Sequence, residues 1–283
     1  MARSSRNRTR RRGRGRFGLL FKVLCLLALV VALTAGATVF FRVEVVSVEG
    51  NHRYSREEIV EVAGIQQGDN LYAWNKFRVA DQLLQSLPYI GEVSIRRVLP
   101  STVVITVSEW DAVARILPYD DPEEPAEPDG GTEEEAGEEA EPLPAAQEPW
   151  LISVKGKLLE SAGADSPAMA VHGLTALLPQ AGEPLAVPQS QQARLDGLLG
   201  LLAALEEAGM TGEVSQVDLG STQMELRYAD RFTVKLELNA DFRYELQVLK
   251  AVREDQENKH GPQAAGTIDL TQEEYQAVYD PAS

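Results

Sequence analysis

An α+β fold behind a single membrane-spanning helix is what the sequence predicts, on three observations. Val23 to Phe41 is a run of 19 residues without a charge. Beyond it, β-branched runs of period two are interleaved with segments whose apolar residues recur at helical spacing. The sole cysteine, Cys25, lies inside the uncharged run. The rest of the chain, roughly 240 residues, is therefore held by ordinary hydrophobic cores and is long enough for two small domains.

At about 1.5 Å per residue, Val23 to Phe41 makes a helix of roughly 29 Å, enough to cross a hydrocarbon core of about 30 Å. The leader, residues 1–16, carries Arg3, Arg6, Arg8, Arg10, Arg11, Arg12, Arg14 and Arg16, and no acid precedes Glu44. Arginine beside a span stays on the cytoplasmic side, so 1–16 reads as a cytoplasmic tail, 17–41 as the transmembrane helix and the remainder as extracytoplasmic. Ala35-Gly36-Ala37 resembles a signal-peptidase site. The apolar stretch, however, reaches back through Phe17, Leu19, Leu20 and Phe21 past a single Lys22, longer than a signal core of about 7 to 15 residues, and favours a retained anchor. Arg12-Gly13-Arg14-Gly15-Arg16 has the look of an RNA-binding repeat, but beside a span it reads as a topology signal that touches anionic lipid.

The formal charge of −16 hides an asymmetry. Residues 1–42 hold ten of the 27 Lys and Arg and no acid, so 17 bases face all 43 acids beyond, a net −26. Such a surface suits neither nucleic acid nor anionic headgroups and points to proteins as partners.

Residues 42–112 read strand, helix, helix, strand, strand. Val43 to Glu49 is short and β-branched, broken by Gly50-Asn51. Ser55-Arg56-Glu57-Glu58 has capping-box form, Ile59, Val62 and Ala63 share a helical face, and Gly64 is placed to end the helix. A second helix starts at Asn75, with Phe77, Ala80, Leu84 and Leu87 expected on its buried side, and stops at Pro88. Val93 and Ile95 alternate with polar neighbours, Leu99-Pro100-Ser101 turns, and Val103, Ile105 and Val107 form the inward set of the next strand.

This order, with Val48-Glu49-Gly50-Asn51 near its start and Leu87-Pro88-Tyr89-Ile90 leading into Val93 to Pro100 and Val104 to Glu109, resembles a POTRA domain. Directly behind a single N-terminal span, it is similar to the bacterial cell-division family called FtsQ or DivIB. Outer-membrane assembly and secretion proteins also carry POTRA domains, usually as tandem repeats behind a barrel, and a component of such a system is the alternative reading. The family resemblance implies a non-enzymatic bitopic scaffold of the division septum. Its implied partners are a small FtsB/DivIC-like protein, an FtsL-like protein and a septal transpeptidase, with no nucleic acid, small-molecule substrate or cofactor.

The second domain, 113–283, reads as β-rich with two helices. Between Asp120 and Glu148 lie thirteen acids, no base and Pro122, Pro125, Pro128, Pro142 and Pro144, with Pro149 just after. That composition cannot offset its ordering entropy, and 120–149 is expected to be a disordered insertion. By the family resemblance, Val113 to Ile116 and Trp150 to Ile152, followed by Gly156 to Leu159, are adjacent strands, which makes the insertion an enlarged hairpin loop. Leu195, Leu198, Leu199, Leu202 and Leu205 form a helical stripe ended near Gly209, with Gly197 and Gly200 unfavourable inside it. Met224, Leu226 and Tyr228, then Phe232, Val234, Leu236 and Leu238, alternate around Ala229-Asp230-Arg231 as a hairpin, and Asp241 caps a helix bearing Phe242, Leu246 and Leu249. Gly266 to Leu270 and Ala277 to Pro281 look like closing strands.

Little in the chain suggests catalysis. His52, His172 and His260 stand apart in loop-like sequence, and no nucleophile elbow, phosphate loop or dinucleotide fingerprint occurs in a strand-to-helix context. Glutamates concentrated in a solvated run keep ordinary pKa values and make poor general acids. Trp74, Trp110 and Trp150 read as core or domain-joint residues. The expected interaction residues fall in two groups. Gln272, Tyr275, Val278 and Tyr279 lie on a terminal segment expected to be an edge strand, and exposed edges bind by strand addition. Arg53, Tyr54 and Arg56 surround the loop before the first helix, where the resemblance implies recruitment of other division proteins.

Overall fold

The computed structural model describes residues 14–118, 145–163, 166–271 and 278–281. Helix α1 runs Arg14–Phe40. Among the described residues no helix is long and apolar enough to cross a membrane. The backbone of α1 extends further than its described side chains, whose longest continuous stretch, 20–36, is about 26 Å of helix against a hydrocarbon core of about 30 Å. All the side chains of that stretch are exposed.

The next unit contains β1 (Val45–Glu49), α2 (Arg56–Ala63), α3 (Lys76–Ser86), β2 (Ile90–Val98) and β3 (Thr102–Glu109), the expected strand-helix-helix-strand-strand order. The sheet runs β1-β3-β2, with β1 parallel and β2 antiparallel to β3. Ser55 Oγ accepts from the Glu58 amide at 3.1 Å, so one half of the capping box forms, and Gly64 closes α2 in the left-handed conformation that costs glycine nothing. Ile59, Leu71, Leu83, Ile90, Val103 and Ile105 are fully buried between helices and sheet.

The face of α3 differs from expectation. Val79 and Leu83 are its buried residues, while Phe77 is 67% exposed. Asn75 caps through its side chain, accepting from Phe77 N at 2.9 Å, and this holds Phe77 in the first turn, outside the stripe that meets the sheet.

The unit has two distinct ends. β1 begins beside the β2–β3 turn, where Glu44 N and Val45 N donate to Ser101 O, and loop 68–71 is tied to the chain leaving α1 by Leu71 N to Phe41 O at 2.8 Å and Val43 N to Asp69 O at 2.8 Å. The opposite end carries Tyr89, Ile90 and Glu109. The eight residues of β3 separate the two ends by about 24 Å.

The second unit is one nine-stranded sheet in the order β12-β11-β10-β9-β8-β7-β4-β5-β6. Its strands are β4 (Ala114–Ile116), β5 (Trp150–Ile152), β6 (Leu158–Ser161), β7 (Met169–His172), β8 (Val214–Leu219), β9 (Gln223–Tyr228), β10 (Phe232–Glu237), β11 (Gly266–Asp269) and β12 (Val278–Pro281). Helices α4 (Gln192–Ala208) and α5 (Phe242–His260) contribute to its core through Leu198, Leu201, Leu202, Leu205, Leu246 and Leu249. Gly197 and Gly200 cost helix propensity but permit close approach. A Cβ at Gly197 would lie 2.7 Å from Leu238 O, and one at Gly200 would lie 3.1 Å from the Phe242 ring.

β4 and β5 pair antiparallel, with Ala114 opposite Ile152, so everything between them is a single connection. Most of the acidic insertion lies outside the described residues. Its last part is tied down: Ala145 bridges Leu177, and Ala146 N donates to Ala176 O at 2.8 Å. The β9–β10 turn, the three residues between paired Tyr228 and Phe232, has Ala229 and Asp230 at positive φ, and Asp241 accepts from Tyr244 N. Two histidines depart from the loop expectation, since His172 ends β7 and His260 ends α5.

Candidate functional site

The two borders of the large sheet are treated differently. The outer side of β6 is covered by its own chain, with Leu158 N donating to Glu183 O, Gly182 N to Leu158 O, and Lys157 bridging Pro184. β12 pairs only with β11, Ile268 opposite Tyr279 and Asp269 opposite Val278, and among the described residues its other side has no strand against it. Such a border offers unpaired N–H and C=O groups for strand addition, and it ends at Pro281, which has no N–H to give.

Of the four residues expected here, Gln272 and Tyr275 lie outside the described residues. Val278 opens β12. Tyr279 is half-buried and turned onto its own chain, where its hydroxyl donates to Ala265 O at 2.9 Å and its ring stands 6.2 Å from that of His260. Residues 262–264, which lead into β11, are clamped in turn. Arg231 donates to Pro262 O at 2.6 Å and to Ala264 O at 3.0 Å, and pairs with Glu257 at 2.7 Å. Arg253 adds bonds to Glu257, Glu213 and the Tyr228 hydroxyl. Hydrogen bonds from Arg231 first and Arg253 second hold the Glu257 carboxyl below the usual carboxylate range. None of this network was marked in the sequence, because Arg231, Arg253 and Glu257 converge only once α5 crosses the sheet.

Arg53 and Tyr54 lie where the two units meet. Glu109 first organises their loop, accepting from the amides of His52, Arg53 and Tyr54 at 2.9, 2.6 and 3.1 Å. The Arg53 guanidinium then stacks 3.6 Å from the Tyr89 ring centroid and pairs with Glu160 of β6 at 3.2 Å. Tyr89 donates its hydroxyl to the same carboxylate, and the Tyr54 hydroxyl accepts from Tyr89 N at 3.3 Å. Beneath them Tyr89, Leu151 and Leu159 form a small buried cluster. Lys157 spans the joint, donating to Leu84 O at 2.8 Å and Ile90 O at 2.9 Å, and burial pushes its pKa down. At Gly182, φ is +92°, and a Cβ would lie 2.7 Å from Gln85 O. Arg56 stays outside the joint and donates to Val46 O within its own unit.

Burial, and then the hydrogen bond to Glu160, raise the Tyr89 pKa above its ordinary 10.0. A group raised on folding contributes its stabilisation in full below the unfolded value and loses it as pH rises through the folded one. Stability at the joint should therefore hold to about pH 10 and fall above it, and Tyr89→Phe should flatten that fall in alkaline denaturation curves. A decline of the same slope in Tyr89→Phe would place the titrating group elsewhere.

Beside the joint, Trp110, Asp111, Met169, Thr211 and Asp230 help to line an open cleft of about 770 Å³. Its carboxylates form no group able to hold a metal among the described residues. Burial raises the Glu245 pKa, but Glu245 lies on α5, outside that cleft.

Residues 41–110 match the POTRA domain of the FtsQ type. The chain carries a POTRA domain of the FtsQ type and is similar there to cell-division proteins named FtsQ and DivIB. The cell division protein DivIB of Clostridium acetobutylicum is 36% identical over 74 residues, 26% of this chain and 29% of that protein. The cell division protein FtsQ of Geotalea daltonii is 30% identical over 87 residues, 31% of each chain. The chain thus spans about three tenths of the length of these relatives. The extracytoplasmic domain of DivIB from Geobacillus stearothermophilus aligns with 53% of this chain and 97% of its own at 17% identity, but its TM-score of 0.29 carries no argument.

Proposed function

We propose that this chain is a member of the FtsQ/DivIB family and a non-enzymatic scaffold of the division septum, anchored by α1 with its N-terminus in the cytoplasm, and that β12 accepts a strand from a small bitopic partner of the FtsB/DivIC kind. The anchoring rests on the arginine leader and the 19 uncharged residues from Val23. The docking rests on one observation: among the described residues β12 is an uncovered sheet border at the end opposite the joint, while the other border is closed by its own chain. Tyr279 packs inward, so the backbone ladder rather than the ring supports pairing. Membership of the septal assembly, with an FtsL-like protein and a transpeptidase nearby, follows from the family alone.

A photo-crosslinking residue at Asp280 in intact cells tests the docking. A small single-span protein should be captured, and captured less when Val278→Pro breaks the ladder that holds β12 on β11, where Val278 stands opposite Asp269. Capture unaffected by Val278→Pro, in a variant whose fold is intact by circular dichroism, would place the partner elsewhere. Impermeant thiol labelling tests the topology: a cysteine at Ser283 should react and one at Ser4 should not.

A further inference from the structure

Outside α1, seven large apolar side chains are exposed among the described residues, and five of them, Val45, Tyr72, Phe77, Val98 and Leu99, sit at one end of the POTRA domain. It is the end at which α1 arrives. Apolar exposure scattered singly is ordinary, whereas exposure gathered on one face marks a contact surface.

The chain binds these residues into one surface. The Phe40 ring, 66% exposed, stands 5.2 Å from Phe41, and Phe41 stands 5.6 Å from Tyr72. Arg97 lies over both Tyr72 and Trp74, at 5.4 and 4.5 Å, and donates to Trp74 O, which ties the β2–β3 turn to loop 69–75. Two exposed bases flank the aromatics, Arg42 and Lys76, the latter 5.0 Å from the centre of the Phe77 ring. The acids at this end are engaged internally: Glu44 accepts from Ser101 and Asp69 from Gln66 N.

We infer that this end of the POTRA domain is seated in the interfacial layer of the bilayer, with Phe77, Tyr72 and Leu99 at the headgroup–acyl boundary and Arg42 and Lys76 toward lipid phosphates. The inference rests on the reading of α1 as a membrane span. Aromatic rings concentrate at that depth, and lysine stems lie along apolar surface while their heads reach polar groups. A lipid surface is favoured over a protein partner because the aromatic chain of contacts starts on α1 itself: Phe40 ends the helix and Phe41 already packs on Tyr72. Charge points the same way. The exported part is strongly acidic, so an anionic leaflet repels most of its surface and repels it least here, where Arg42, Lys76 and Arg97 outnumber Glu44 and Asp69. The composition of the whole chain conceals this patch.

The test uses the full chain with Cys25→Ser, reconstituted into vesicles of phosphatidylcholine and phosphatidylglycerol containing lipids with a shallow or a deep nitroxide. Single cysteines carry an environment-sensitive fluorophore: Phe77→Cys and Leu99→Cys on the patch, Leu178→Cys as an exposed control of similar accessibility, and Val31→Cys inside α1. The shallow nitroxide should quench the patch labels about threefold more than the Leu178 label, as an interfacial segment is quenched. The deep nitroxide should quench the Val31 label. Quenching at Val31 with patch labels no different from Leu178 would overturn this inference while leaving α1 as a span, and would leave a protein as the occupant. Absence of quenching at Val31 as well would overturn both.

Discussion

Gly266→Val is expected to free β12 from the sheet and to weaken capture of its partner by roughly 30- to 1,000-fold, as the loss of two or three net hydrogen bonds worth about 2 to 4 kcal/mol would. The reason is steric. A Cβ at Gly266 would stand 2.2 Å from Asp280 O and 2.8 Å from the Tyr279 ring. The ring can swing away, but the carbonyl belongs to the β11–β12 ladder and moves only if the ladder opens. β11 keeps its parallel register on β10, Val234 opposite Ile268, so the loss stops at the last strand. Hydrogen exchange should show faster exchange at Tyr279 and Asp280 with the β10 amides unchanged. Gly163→Val, with open space around its Cβ, serves as the control. Protected β12 amides together with normal capture would remove the edge as the partner's docking place.

Tyr89→Ala should cost about 3 kcal/mol, the usual loss for truncating a buried aromatic, and should loosen one domain from the other. Tyr89 is 5% exposed, and its ring covers Leu151 and Leu159. Its ion-paired neighbours weigh less. Arg53 and Glu160 have side chains about half exposed, and a pair so placed contributes about 1 kcal/mol or less, so Arg53→Ala should be mild. Tyr89→Phe, which keeps the ring and loses the hydroxyl bond, should fall between the two. Urea denaturation followed through the fluorescence of Trp110, whose ring would overlap a Cβ at Gly91, reads this order. An Arg53→Ala loss larger than that of Tyr89→Ala would mean that charge, and not aromatic packing, holds the joint.

Local chemistry made much of this fold legible. Ser55, Gly64, Asn75, Gly209 and Asp241 act at helix ends through interactions complete within a few residues, and Ala229-Asp230 carries its hairpin by itself. The buried set of β3 was visible because a strand covered on one face writes its burial into alternation. Legibility failed where the deciding partner is distant. Phe77 has the spacing of a core residue, yet the cap at Asn75 and the position of the sheet leave it exposed. Arg53 and Tyr54 look like free loop residues until Glu160, 107 positions from Arg53, arrives on β6. β7 is four residues long and pairs in parallel on both sides, with β4 and β8, so neither length nor turn chemistry announces it. The edge was visible as a strand, but its openness is a property of the whole sheet order.

That sheet order also makes the second domain a lever. β6 is the fulcrum, seated against Tyr89, and β12 is the tip, eight interstrand steps away. At about 4.8 Å per step the arm is about 38 Å measured along the sheet, so a rotation of roughly 10° at the fulcrum carries the tip through about 7 Å, more than one strand width. On the proposed docking, a partner strand held at a fixed height above the bilayer would meet β12 in register at one setting of such a hinge and miss it at another. The packing of one tyrosine sets the aim of an edge it never touches.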